Sequence, residues 1–369
     1  MRSRRGKWLA GLALALLGLA SIGSAFDRMA HDEPRIARLV PEPFRAGADL
    51  AQGRLALIRG QESAARDMAG QAVDASPVDP ATLALLGQAR LANGELVAAQ
   101  NAFRSAAAFG WREPATQAYW LQAALQAGDW QGAGLRADAL LRSQSELRGD
   151  FALLAVFEGT GAGQAVLSGL VAGRPPWLHA YLQPASVPDD AALVRRAAFL
   201  GQPGLPGVTC QFVLPMVEQL LARGAAGQGR ALWQSRCGGV ADGGLQDGKF
   251  AQLAAGSANP FGWRRVASGD VSLSGGGRGL VARNRAPAPR LIIWQSLALP
   301  EGRYRAILPE AEASQWRVAL SCGGAPDRRP PPWASEFIIE DCEAQTLSLW
   351  LEPGSGEERL SQIALERID

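Results

Sequence analysis

The sequence predicts a multidomain chain, α first and then β, carried behind an N-terminal transmembrane helix. Three observations support that reading. Trp8 to Phe26 contains no charged residue and follows a basic cluster. From Ala46 to residue 240 the chain is rich in Ala, Leu, Gln and Arg, with Gly between the runs, as helices separated by turns would be. Beyond Asn259-Pro260-Phe261-Gly262-Trp263 it changes to Val, Ile, Trp and Tyr in short alternating runs, the pattern of strands.

Length and composition set the outer bounds. A chain of 369 residues can bury two cores, and 47% apolar with 20% charged residues is ordinary for folded protein. The net charge of +2 is an average over unlike parts. Arg2, Arg4, Arg5 and Lys7 supply four positive charges, and the remaining 33 basic residues face 35 acidic ones. That balance excludes a basic stripe of the kind nucleic acid requires. Lys occurs only at 7 and 249, which reads as a compositional bias toward Arg.

Residues 1–26 form the first element, a basic flank and an apolar helix. The nineteen residues from Trp8 to Phe26, at a rise of ~1.5 Å each, just cross a hydrocarbon layer of ~30 Å. Basic flanks stay on the cytoplasmic side, which puts the N-terminus there. Gly23-Ser24-Ala25 also offers small residues at a cleavable spacing, so a cleaved signal peptide is the alternative. No Cys follows the apolar run, which argues against a lipoprotein. Both readings export the rest of the chain. Residues 27–45, with Pro34, Pro41 and Pro43, read as a linker holding one short helix.

The helical stretch carries a period. Gly60, Gly94 and Gly128 lie 34 residues apart, each after one helical run and before another. The same offset joins Ala65, Ala99 and Ala133, and again Ala72, Ala106 and Leu140. The clearest unit is Leu83-x-x-Leu86-Gly87 followed by Gly94, Ala99, Phe103 and Ala106. This pattern resembles the tetratricopeptide repeat family, in which small residues let paired helices approach closely. It departs from that family where the usual Pro near the repeat end is replaced around Trp111, and where Leu121 stands in place of a small residue. From 147 the period is lost, and Arg174-Pro175-Pro176-Trp177 forces a break. Residues 46–240 are read as one tetratricopeptide-like solenoid, whose concave face suits a protein partner.

Residues 241–258 are Gly-rich and read as a linker, apart from Phe250-Ala251-Gln252-Leu253. In 259–369 eight strands are expected: 270–274, 279–283, 291–299, 303–308, 315–322, 335–340, 346–352 and 361–368. That many short strands with Gly/Pro turns predict an antiparallel β-sandwich of jelly-roll type. The four Cys fall two by two, Cys210 with Cys237 and Cys322 with Cys342. Three connectivities are possible, and pairing within each half is the economical one. Each loop would stabilise by roughly 3 kcal/mol on the chain-entropy model. Free buried thiols are the alternative. No Cys spacing matches a zinc site, and with only His31 and His179 to add, no metal or other cofactor is expected.

Two motifs add a family. Asn259-Pro260-Phe261-Gly262-Trp263 and Leu299-Pro300-Glu301-Gly302-Arg303-Tyr304, behind an anchor and repeat helices, resemble a group of proteobacterial proteins associated with exopolysaccharide biosynthesis and export. The terminal domain is similar to carbohydrate-binding modules with a jelly-roll fold. That group commonly has Asp where Gly262 stands, so no role of such a carboxylate carries over. The resemblance implies a single-pass inner-membrane protein with its bulk in the periplasm, or a periplasmic protein after signal cleavage. It implies a non-catalytic accessory role, an envelope protein partner on the repeats and a polysaccharide as candidate ligand of the sandwich.

Sugar faces stack on aromatic rings, so the Trp residues are the candidates. Leu347, Leu349 and Leu351 alternate inward, which turns Trp350 outward with Thr346, Ser348 and Glu352, as a sugar platform or as packing against the helices or a loop. Trp294 lies in a continuous apolar run and fits either face, while Trp333 follows Arg328-Arg329-Pro330-Pro331-Pro332 and either caps the sandwich or meets ligand. Trp316 alternates with Val318, Leu320 and Cys322 and reads as core. Trp263 reads as glue between linker and sandwich, with Asn259, Pro260 and Phe261 completing the structural motif.

Enzyme signatures are missing. Neither a Gly-x-Ser-x-Gly elbow nor a phosphate-binding loop is present, and Gly275-Gly276-Gly277 reads as a hairpin turn. The adjacent carboxylates Asp189/Asp190 and Glu357/Glu358 read as solvated surface. The expected function is a non-catalytic scaffold, with a protein-only envelope scaffold and a structural sandwich as the alternative.

Overall fold

The computed structural model describes residues 3–144, 152–183, 187, 189–239, 244–253, 259–266, 268–276, 278–309, 312, 314–323, 326, 333–354 and 356–368. The chain divides into two compact units, Met1–Leu147 and Arg148–Asp369.

The first unit is helical throughout. The apolar helix α1 (Ser3–Asp32) is followed by 3-10 turns at Pro34–Leu39 and Glu42–Phe44. Three helical hairpins come next: α2 (Ala46–Ile58) with α3 (Glu62–Ala75), α4 (Pro80–Ala92) with α5 (Leu96–Ala107), and α6 (Pro114–Gln126) with α7 (Trp130–Ser143). The 34-residue period is therefore a structural repeat. Gly60, Gly94 and Gly128 close the three hairpins at φ of 69°, 76° and 71°, a left-handed conformation that any side chain would strain. Ala65, Ala99 and Ala133 are fully buried at the equivalent position of the second helices.

The period has a second sequence signal. Asp79-Pro80-Ala81-Thr82 recurs as Glu113-Pro114-Ala115-Thr116, 34 residues later. Each acid caps its helix, Asp79 accepting from the Ala81 N–H and Glu113 from those of Ala115 and Thr116, while Pro fills the first helical position where no donor is needed. The replacement near Trp111 stands: Trp111 lies 34 residues after Pro77, and Pro114 is the counterpart of Pro80.

The discordant Leu121 also finds a reason. A Cβ on Gly87 would come within 2.9 Å of the Phe103 ring, so bulk on α5 demands a Gly on α4. In the next hairpin the sizes are exchanged, Leu121 standing at the Gly87 position and buried Ala137 at that of Phe103. Gly87→Leu is expected to destabilise by about 1–3 kcal/mol through overpacking. Adding Phe103→Ala should recover most of that loss in urea denaturation; strictly additive effects would show the two sites to be independent.

The segment 27–45 is folded rather than a linker. Helix α1 runs on past the apolar stretch, and its Asp27 carboxylate accepts from the backbone N–H groups of Gly47 and Ala48 at 3.0 and 2.8 Å, capping α2 from outside. Ala30, Ala37, Val40 and Ala48 form a small core, with Phe26, Ile36 and Phe44 against it.

The second unit begins with irregular helices: α8 (Ala155–Glu158), α9 (Gly161–Ala172), α10 (Leu178–Tyr181), α11 (Asp190–Leu200), α12 (Cys210–Ala222) and α13 (Ala226–Arg236). The expected single helical domain 46–240 is thus divided, and these helices share a unit with the strands. Arg230 of α13 donates to the Ala298 carbonyl, and Glu218 of α12 pairs with Arg264 at 3.4 Å. Cys210 and Cys237 are joined, fastening the start of α12 to the end of α13. Arg236, next to that bond, donates to the carbonyls of Leu200, Gln202 and Leu205 and so holds the loop after α11.

Among the described residues ten short strands follow: β1 (Arg264–Arg265), β2 (Val271–Gly276), β3 (Gly279–Asn284), β4 (Arg290–Leu297), β5 (Gly302–Ile307), β6 (Trp316–Cys322), β7 (Glu336–Ile339), β8 (Gln345–Leu351), β9 (Glu358–Leu360) and β10 (Ala364–Arg367). Among the described residues all pairings are antiparallel, in three sheets ordered β1-β4-β8-β6, β10-β5-β7 and β2-β3-β9, where two sheets were expected. One core joins them, with Ile293, Trp316 and Leu347 from the first sheet, Tyr304 and Ile339 from the second, Leu280 and Leu360 from the third. Cys322 and Cys342 are joined at its rim.

Residues 244–253 belong to this core and are not a linker. Phe250 is fully buried 5.5 Å from the Trp263 ring, and the Trp263 indole N–H donates to the Asp247 carbonyl. Gln246 exchanges two 2.8 Å hydrogen bonds with the Gln295 side chain of β4. The Asp247 carboxylate accepts from the Ala251 and Gln252 N–H groups, closing the turn. Residues 241–243 and 254–258 of the expected linker lie outside the described residues.

Candidate functional site

The register of the four-stranded sheet decides where its Trp residues stand. On β8, Leu347, Leu349 and Leu351 face the core, as alternation requires, and Thr346, Ser348 and Trp350 share the other face. Across that face Trp350 opposes Arg317 of β6 and Leu291 of β4, while Ser348 opposes Trp294 and Ala319. This face of β8 is covered, the packed alternative of the two that the alternation allows. Trp350 is only 2% exposed, and Thr346 and Ser348 are buried beside it. The physical reason is Trp333, which arrives before β7 and sets its ring edge-on against Trp350 at 5.8 Å. The Trp350 indole N–H is satisfied by the Ser348 hydroxyl at 3.1 Å.

Trp294 and Trp333 meet different fates. Trp294 is half-buried, with the Arg264 guanidinium 5.1 Å above its ring, so its outer face is already occupied by a cation. Trp333 is 36% exposed and stands at the rim of a hollow of about 350 Å³. Ala306, Leu308, Trp316, Arg317 and Val318 complete the walls, so the hollow lies along the free edge of β6, against β5. Arg317 is held there by Glu352 at 3.2 Å and by the Ser314 and Trp316 carbonyls. Trp316 is core, as its alternation indicates, yet its indole N–H has no hydrogen-bond partner. The loop Arg328 to Pro332 lies outside the described residues.

Arg317 is a site residue that the sequence reading missed, whereas Glu352 already shares the Trp350 face there. The alternation that assigned Trp316 to the core also placed Arg317 on the Trp350 face, and that was the signal available. The Asn259-Pro260-Phe261-Gly262-Trp263 motif is structural. Asn259 accepts from the Phe261 N–H with its side chain and from the Gly262 N–H with its carbonyl, folding the motif into a turn that buries Phe261 and Trp263. In Leu299 to Tyr304, the Tyr304 hydroxyl donates back to the Pro300 carbonyl, which fixes the entry into β5.

Asp189, Asp190 and Glu336 have structural partners. Asp189 caps α11 through the Ala192 N–H, and Asp190 pairs with Arg223. On β7, Glu336 lies beside Arg305 and Arg303 of β5; hydrogen bonding and charge from Arg305, then the charge of Arg303, hold its carboxyl below the ordinary range.

The first unit offers a separate surface. Leu91, Leu96 and Val97 are exposed and line a groove of about 400 Å³ with Tyr119, Gln122 and Gln126. The groove carries no charge, and its amides can pair with a peptide backbone. A scan of the sequence against protein-family models gives no match, and no curated protein is significantly similar to it. The two disulfides fit an oxidising compartment, and α1 is long and apolar enough to cross a membrane or to serve as a signal sequence.

Proposed function

We propose that this chain is a non-catalytic, membrane-tethered scaffold on the exported side of a bacterial inner membrane, acting in exopolysaccharide biosynthesis or export. Its tetratricopeptide-like repeats hold an envelope protein in the uncharged groove beside Leu96 and Val97, and its jelly-roll-like half touches glycan at one edge. The observation that carries the glycan contact is the half-exposed Trp333, buttressed by Trp350 and bordering a hollow that also holds Arg317. An indole presents a flat apolar face to a pyranose, and the guanidinium supplies donors for hydroxyl or carboxylate groups. The hollow is a groove for one or two sugar rings at most, so a weak, single-site contact is expected.

The test is binding of the full chain to acidic and neutral exopolysaccharides. Trp333→Ala should weaken the preferred glycan about tenfold, which is about 1.4 kcal/mol. Because Trp333 also covers Trp350, some loss of melting temperature is expected, and binding is compared well below the transition of both proteins. Trp350→Ala is a poor probe, since it removes a buried side chain. Equal binding by wild type and Trp333→Ala would remove the glycan role from this edge. The burial of Trp350, Thr346 and Ser348 favours the second reading, a protein-only scaffold with a structural β half, and failure to bind any polysaccharide would select it.

A further inference from the structure

We infer that the hollow formed by Arg35, Arg38 and Arg59 binds the phosphate of an anionic lipid headgroup. This inference rests on the reading of α1 as a retained membrane helix. The hollow is about 320 Å³, with the Gln52 and Gln61 amides and Met68 completing its walls. All three arginines are exposed, and among the described residues none has an ion-pair or side-chain hydrogen-bond partner. Elsewhere in the same unit arginines do find carboxylates: Arg45 meets Asp49 at 3.1 Å, Arg66 meets Glu95 at 3.0 Å and Arg142 meets Asp138 at 2.7 Å. Three arginines lining one hollow with no carboxylate among its walls make a site for a bidentate anion, and phosphate matches the guanidinium fork.

Position selects the source of that phosphate. Arg35 and Arg38 belong to the 3-10 turn Pro34–Leu39, which packs on α1 and α2 directly after the membrane-length helix. Asp32, the last residue of α1, is six residues beyond Phe26, about 9 Å along the axis. The polar layer extends roughly 5–8 Å past the hydrocarbon on each face, and a long guanidinium side chain spans the difference. Leu39 and Ile58, next in sequence to Arg38 and Arg59, are 64% and 83% exposed. Basic and apolar side chains therefore alternate around the hollow, as they do on surfaces that rest in a bilayer interface. Basic residues at this end of α1 also run against the usual cytoplasmic bias of such flanks, so orienting the helix does not account for them.

The experiment uses the full chain in neutral detergent and the water-soluble short-chain lipids phosphatidylglycerol and phosphatidylcholine, with inorganic phosphate as a third probe, read by native mass spectrometry. The expected result is retention of phosphatidylglycerol at least tenfold better than phosphatidylcholine, with millimolar inorganic phosphate a weak competitor. Replacing Arg35, Arg38 and Arg59 together by Gln should abolish the preference, whereas replacing Arg54, Arg104 and Arg112 by Gln should preserve it. Equal retention of the two lipids, or an unchanged preference in the first triple variant, overturns the proposal. Complete displacement by inorganic phosphate at equal concentration overturns the lipid as its source. Alkaline extraction of membranes tests the anchor separately: release of a chain starting near Phe26 defeats the retained helix, while the lipid-binding result still scores the hollow.

Discussion

Glu158→Ala is expected to lower the unfolding free energy of the second unit by about 3–5 kcal/mol, the range for breaking a buried ion pair. Glu158 ends α8 and is 1% exposed; Arg196 of α11 is 2% exposed and Tyr181 fully buried. One carboxylate oxygen accepts from Arg196 Nε and from the Tyr181 hydroxyl, each at 2.8 Å, and the other faces Arg195 Nε at 3.4 Å. Arg196 also donates to the Tyr181 carbonyl and lies over its ring at 4.3 Å. Removing the carboxylate takes the counter-charge from a desolvated guanidinium. Glu158→Ala combined with Arg196→Met should be less damaging than the single change, because no buried charge is then left behind. Urea denaturation measures both, and a single-variant loss under 1 kcal/mol would refute the role of this cluster.

The same cluster gives a pH dependence. Burial, and then the Glu158 charge, push the Tyr181 hydroxyl well above its ordinary value. An acid with a raised folded pKa holds its proton more tightly when folded. Its stabilising contribution is therefore complete below the ordinary tyrosine value and is lost as pH rises past it, because the unfolded chain ionises first. Tyr181→Phe should flatten the alkaline limb of a stability–pH profile.

Phe250→Ala is the second large effect, at about 3–5 kcal/mol for deleting a buried aromatic ring. Phe250 is held at φ 58° and Asp247 at φ 50°, left-handed conformations that cost a β-carbon-bearing residue about 1–3 kcal/mol each. Such a turn persists because what it places is worth more: Phe250 against Trp263, Leu253 in the core and the Gly248 carbonyl on the Ile363 N–H. A fragment starting at Asn259 should consequently lack a cooperative thermal transition, whereas one starting at Arg148 should show it. Cooperative melting of the shorter fragment would make residues 244–253 dispensable.

Much of this fold could be read directly. Gly at 60, 94 and 128 marks three hairpins because only Gly takes their left-handed turn without strain, and the eight expected strands lie within a residue or three of those observed. The two missed strands, Arg264–Arg265 and Glu358–Leu360, are too short for alternation to register. Residues 244–253 were passed over because their turn chemistry looks like a linker, and only the tertiary partner of Phe250 reveals a core. Trp350 shows the limit most plainly. Period-two alternation identifies which face a residue shares, but not that a ring from another segment will close over it. Arg317 was on that face all along, without a composition signal to single it out.

All four cysteines lie in the second unit, and each is joined to the cysteine next to it in sequence, Cys210 to Cys237 and Cys322 to Cys342. A chain threaded across a membrane from its N-terminus presents them in that order. Each thiol then meets its native mate as the first one to arrive, so oxidation in order of emergence yields the native pairs without reshuffling. The leading 147 residues, which hold no thiol, can complete their hairpins before any oxidant is engaged. On the proposed exported reading, order along the chain alone specifies the native pairs.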